Sequence, residues 1–272
     1  MFSKLTVLPK SLLIGFVAIA ISTLGIQASD ELSGVSGKLT SLVLDSQTVC
    51  GPHEVLVLYG THSLCMDTFE AGPASQCPKV VIGNEVDTQL NIAVSGCKAE
   101  SKPHVMPWRH VTYTEAKQLC ARAGKRLPTN EEWYKVSLGI ENVEKCFGNN
   151  VQLKLTGVNN CVTATGVHDV VGNVWEWMED TVTEGLYKNR SLPESGYVSL
   201  VDQDGIVLET SDDPNNSFGK DYAWVDQTGV QGIIRGGFYG SETDGGVFAQ
   251  NLAVPLNFSA VGVGFRCVRD IL

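Results

Sequence analysis

The sequence predicts one α+β domain made of two short helices, short antiparallel strands and many loops. Three observations carry that expectation. Two capping boxes open stretches of helical spacing near the middle of the chain, strand and hairpin signals lie on either side of them, and eight cysteines are spread along the length. No period of roughly 20 to 50 residues repeats, which sets solenoids and propellers aside.

The elements follow in order. Lys4 and Lys10 precede a fifteen-residue apolar run, Leu12 to Ile26, and Ala28 ends a small-residue cleavage site. Residues 1–28 therefore read as an export signal. The run falls short of the roughly 18 residues that span a bilayer, so membrane contact is expected only through this segment, and only if it stays uncleaved. Residues 29–47 are polar and read as a tether, and 48–272 as the domain. Val55 to Tyr59 (VLVLY) suggests a strand, and Gly72 to His104 reads as loop. Thr112 and Glu115 form the first capping box, each satisfying a free N–H of the helix start; Ala116, Leu119, Cys120 and Ala123 follow at helical spacing up to Gly124. Thr129 and Glu132 form the second, leading through Trp133 and Val136 to Gly139. Further on, Tyr197 to Val201 and Ile206 to Thr210 flank Asp204-Gly205, a hairpin signal.

Composition narrows the function classes. Hydrophobic residues make up 43% and charged residues 18% of the chain, so a packed core is expected. The formal net charge of -10 argues against docking on nucleic acid or on anionic membranes. The cysteines are Cys50, Cys65, Cys77, Cys97, Cys120, Cys146, Cys161 and Cys267, with no C-x-x-C pair among them. An even number behind an export signal reads as disulfides in an oxidising, extracytoplasmic setting: secreted, periplasmic or cell-surface. A Cys77–Cys97 bridge would staple the long loop, and Cys146 and Cys161 bracket another.

Templates for chemistry come up empty: no G-x-S-x-G, H-E-x-x-H, P-loop or G-x-G-x-x-G segment sits in a fitting context. The five histidines share no ligand-like spacing. The segment Asp169 to Trp177 (DVVGNVWEW) is different. Two carboxylates bracket a Gly-Asn turn, and such a mixture of carboxylate and carbonyl oxygens suits calcium. The other reading is a core strand, with Trp175 and Trp177 packed and Glu176 paired to an arginine.

Four blocks in order, GKRLPTNEEW from Gly124, GNVWEW from Gly172, Arg235-Gly236-Gly237 and Gly264-Phe265-Arg266, resemble the formylglycine-generating enzyme (sulfatase-modifying factor) family. The resemblance runs from about Cys65 to Arg269 and implies a C-type-lectin-like fold. It implies a structural calcium held by Asp169, Gly172, Val174 and Glu176, the two middle residues through their carbonyls. It also implies a Cys120–Cys267 disulfide, whereas the family's second disulfide has no counterpart because its first position falls on Ser137. Cys50 and Cys65 complete the bridged set. The family's enzymes hold copper between two cysteines shortly after the R-G-G block, and those positions fall on Ser241 and Gly246. A hydroxyl and a missing side chain give soft Cu(I) nothing to bind, so copper is not expected and no catalytic residue is assigned.

Arg235 to Arg269 also resembles the variable region of proteins diversified by diversity-generating retroelements, whose domains share the same fold. The frame is visible at Gly240-Ser241, Gly246 to Ala249, Asn251-Leu252 and Gly264 to Cys267. Between frame residues lie Phe238, Tyr239, Ala253, Val254, Phe258, Ala260 and Gly262, the candidate ligand-binding positions. The expectation is an exported scaffold that binds a protein or glycan through these C-terminal loops. The alternative is a sulfatase-modifying oxidase, or another enzyme on the same fold.

Overall fold

The chain is described by a computed structural model over residues 49–59, 62–140, 146, 152–241 and 245–271. The export-signal and tether readings, residues 1–47, lie outside these residues. Val49 to Leu272 forms one compact unit.

The two ends of this unit meet in a small sheet. Strand β1 (Glu54–Tyr59) pairs antiparallel with β2 (His62–Asp67), and β2 pairs on its other side with β14 (Val268–Asp270). A second small sheet joins β3 (Ala71–Pro73) to β4 (Ala99–Ser101). The expected helices are present as α2 (Tyr113–Arg122) and α3 (Asn130–Ser137), each with its capping box closed in both directions.

A third helix, α1 (Glu85–Ile92), stands where the sequence reads as loop. Its periodicity is inverted. The buried positions are the polar Thr88 and Asn91, while Val86 and Leu90 are exposed. Asn91 exchanges two 2.8 Å hydrogen bonds with the backbone of Lys79, and Thr88 accepts from the Trp108 indole at 3.0 Å. Hydrogen bonding thus does the work that apolar spacing signals in α2 and α3.

The large sheet has nine strands. Its path starts at β7 (Arg190–Ser191) and β6 (Leu186–Tyr187) and continues through β5 (Trp175–Thr183), β11 (Val230–Arg235) and β12 (Gln250–Pro255). It ends with β10 (Tyr222–Val225), β8 (Gly196–Val201) and β9 (Val207–Ser211), while β13 (Val263–Gly264) pairs with β5. The predicted hairpin is β8–β9, paired antiparallel. Two apolar cores result. One gathers Trp133, Tyr134, Val198, Ala223 and Leu252; the other gathers Trp108, Leu119, Trp175, Trp177 and Ile234. Burial of such large side chains stabilises by about 1.5–3 kcal/mol each, and four disulfides add to it: Cys50–Cys65, Cys77–Cys97, Cys120–Cys267 and Cys146–Cys161.

Candidate functional site

The C-terminal segment is hung from a rigid frame. Arg235, the last residue of β11, is fully buried. It donates to Asn130 Oδ1 at 3.0 Å, Gly205 O at 2.9 Å and Val247 O at 2.8 Å, and its guanidinium lies over the Trp133 ring at 5.1 Å. Burial pushes its pKa down to about 10. This one side chain, with no carboxylate among these hydrogen-bond partners, ties α3, the β8–β9 turn and the segment after Ser241 together.

The candidate ligand positions divide. Phe238, Tyr239, Ala253, Phe258 and Ala260 are half-exposed. Phe238, Phe258 and Ala260 pack one side against the second core, and the Phe238 and Tyr239 rings lie edge to face at 5.0 Å. Val254 and Gly262 do not belong with them. Val254 is 4% exposed and sits in the second core, although Leu252, two residues earlier, sits in the first. The β11–β12 register shifts between Gly232 and Ile234, and such an irregularity re-aims the side chains that follow. Gly262 is buried, and a Cβ there would stand 2.6 Å from Phe238 Cδ2. The position has no room for a side chain while Phe238 keeps its place.

Of the expected calcium ligands, the two carboxylates are buried, Glu176 fully engaged and Asp169 through one oxygen. Asp169 stands in a left-handed conformation, φ 55°, and its Oδ2 accepts from Gly157 N. Its Oδ1 is buried with no hydrogen-bond partner. Glu176 is the decisive residue. Arg266 Nε reaches both of its oxygens, at 3.0 and 2.8 Å, Arg266 Nη2 reaches Oε1 at 2.5 Å, and the Trp133 indole donates to Oε2 at 2.9 Å. The remaining guanidinium donors go to Asp67 O and His168 O. Arg266 thus engages both oxygens of Glu176, so that carboxylate is closed to calcium while Arg266 stays where it is. Burial alone would lower the Arg266 pKa, but Glu176 outweighs it and keeps the guanidinium charged.

Sequence reasoning missed Glu70. It is fully buried, accepts from Asn173 Nδ2 at 2.5 Å and from Val174 N at 3.2 Å, and so pins the Gly-Asn turn from the side. Burial, then the nearby Asp169 and Glu176 charges, holds its pKa well above the ordinary carboxylate range. The available signal was a carboxylate in the otherwise apolar context Phe69-Glu70-Ala71.

The family model for the sulfatase-modifying factor enzyme 1-like domain matches residues 81–159 and 141–271, which is most of the compact unit. The chain belongs to this family. The formylglycine-generating enzyme of Mus musculus is 33% identical over 100 residues, 27% of this chain and 27% of that protein. The inactive C-alpha-formylglycine-generating enzyme 2 of Bos taurus is 33% identical over 120 residues, 35% of this chain and 40% of its own length. The chain thus aligns with well under half of the curated relatives. Among solved structures, the Major Tropism Determinant P3c variant superposes with a TM-score of 0.46 at 17% identity, over 80% of this chain and 53% of its own. PvdO from Pseudomonas aeruginosa gives 0.44 at 15%, over 76% and 80%.

In this sulfatase-modifying-factor-like domain Ser241 and Gly246, the positions onto which the resemblance maps the family's cysteine pair, are closed by packing. Ser241 is buried, and its Oγ accepts from Phe238 N at 3.0 Å to fasten a tight turn. At Gly246 a Cβ would meet the Asp221 carboxylate, 2.4 Å from Oδ1. Asp221 is held there by Phe248 N at 2.6 Å and Ala249 N at 3.1 Å. Every one of the eight cysteines is in a disulfide. Next to Asp221, Leu138, Ile140, Val247 and Phe248 line a hollow of about 270 Å³.

Proposed function

We propose that this chain is an exported, non-catalytic member of its family, a disulfide-braced scaffold whose C-terminal loops bind a protein or glycan. The observation that carries the reading is the half-exposed set Phe238, Tyr239, Ala253, Phe258 and Ala260 on the Arg235 frame. Loops on a rigid scaffold are the usual seat of recognition, and aromatic residues the usual anchors. Four disulfides suit an oxidising compartment. The filled site at Gly246 and the absence of a free thiol weigh against the oxidase.

Two tests bear on this. Purified protein with copper and a sulfatase-motif peptide is expected to yield no formylglycine, and robust conversion would overturn the reading. The diversified nature of the loops is a genomic question: a reverse transcriptase beside a near-copy of the codons for Phe238 to Arg266 would establish it, and a locus lacking both would leave an undiversified scaffold.

A further inference from the structure

We infer that the binding surface continues past the loops onto the large sheet along Tyr197, Tyr222 and Trp224, and that its partner is a protein segment rich in lysine and arginine. The inference rests on reading the C-terminal loops as a ligand face and extends it.

The β8–β10 register sets Tyr197 directly opposite Tyr222, so both side chains leave the same face of the sheet. Trp224, two residues on from Tyr222, leaves that face too. The rings touch in series: Tyr197 to Tyr222 at 5.2 Å between centroids, Tyr222 to Trp224 at 4.8 Å, and Trp224 to Trp175 at 5.8 Å. Residues between them, Val198 and Ala223, are buried in the first core on the opposite face. All three row residues stay half-exposed. The row also joins the loops. Trp224, Phe238 and Phe258 pack against the same second core, Trp175 N donates to Gly262 O at 2.8 Å, and Gly262 backs onto the Phe238 ring.

Charge decides what this aromatic strip would hold. On and beside β8 and β9, Glu194, Glu209, Asp212 and Asp213 are exposed, whereas Asp202 and Asp204 already pair with Arg190 and Lys188 and Asp221 is buried. Between Ser191 and Phe265 the basic residues are Lys220 and the fully buried Arg235. Ser211, opposite Tyr197 in the β8–β9 register, is followed by the exposed pair Asp212 and Asp213. Aromatic faces attract lysine and arginine through the ring quadrupole, and an acidic rim adds long-range steering toward the same ligand. Anionic ligands such as phosphorylated, sulfated or sialylated chains meet the wrong sign here, and a neutral sugar gains nothing from the rim.

The test is selection from a phage-displayed random peptide library on the purified full chain, followed by affinity measurements on the enriched peptides. Lysine and arginine are expected to be enriched. Affinity should fall about tenfold in Trp224→Ala or Tyr222→Ala, the range for an anchor residue. The double variant Asp212→Asn, Asp213→Asn touches no core, keeps the wild-type melting temperature and should weaken binding, as should added salt. Peptides without basic enrichment would overturn the proposal, as would no peptide at all, or binding of neutral glycans on an array instead. Basic peptides that lose affinity in Phe238→Ala and Tyr239→Ala, but bind the Trp224, Tyr222 and Asp212/Asp213 variants like wild type, would overturn the sheet extension and leave the loop reading standing.

Discussion

Arg266 and Glu176 face each other in the interior with no exposed surface on either side chain, joined by three N–H···O contacts of 2.5 to 3.0 Å. Replacing one partner strands the other as a buried charge, which costs about 3–5 kcal/mol. Glu176→Gln and Arg266→Met are each expected to lower the unfolding free energy from urea titration by that order, and the double variant to lose less than the sum. Additive losses in a double-mutant cycle would mean that the pair is not coupled.

The same pair predicts indifference to calcium. An ion would have to displace Arg266 from a carboxylate that also holds the Trp133 indole. Melting temperatures in excess chelator and in millimolar calcium are expected to coincide. A clear rise with calcium would show that Arg266 swings away and that the orphaned Asp169 Oδ1 finds its partner in the ion.

Gly246 is predicted to be intolerant of the smallest added side chain. Gly246→Ala drives a methyl group into Asp221 Oδ1, and overpacking of this kind costs about 1–3 kcal/mol. Asp221→Ser on the same background should restore part of the loss. For the same reason, Ser241→Cys with Gly246→Cys should not create a Cu(I) site, as measured by competition with a chelator.

Glu54 carries a predictable pH dependence. Burial alone would raise its pKa, but hydrogen bonds from Lys125, Arg269 and Gly51 N outweigh it, and the net shift is downward. A carboxylate with a lowered folded pKa stabilises at pH above its unfolded value and loses that contribution as pH falls through the folded one. Glu54→Gln should therefore cost about 1–2 kcal/mol at neutral pH. The gap to wild type should begin to narrow as the pH drops below about 4.5, the ordinary value for the group, and close as it falls through the lower folded value. A gap that stays constant down to acid pH would assign the cost to packing instead.

Much of the frame was legible from the residues, and the reason is local. The capping boxes of α2 and α3, the Asp204-Gly205 turn and the Cys77–Cys97 and Cys146–Cys161 loops are all written in a few neighbouring positions. What escaped is non-local or inverted. Helix α1 buries its polar side and exposes its valine and leucine. Val254 faces the second core because of an irregularity in the pairing with a strand twenty residues earlier, and alternation within its own strand could not show that. Glu70 meets the Gly-Asn turn across 103 positions of sequence. At the candidate site, five of the seven positions named from the residues are half-exposed and Val254 and Gly262 are buried, while Asp221, which decides the fate of Gly246, carried no motif at all.

The Cys120–Cys267 bridge spans 147 residues, and in the chain-entropy model closing so long a loop stabilises by about 5 kcal/mol. Its topology has a further consequence. The aromatic row, the Arg235 frame and every candidate ligand position lie between the two cysteines, so they belong to one covalent ring. A protease that cuts anywhere within that ring opens it without releasing a fragment. Both new ends stay tethered to a helix and to the last strand of the fold, and the recognition face can survive a cut that would have shed it from a linear chain.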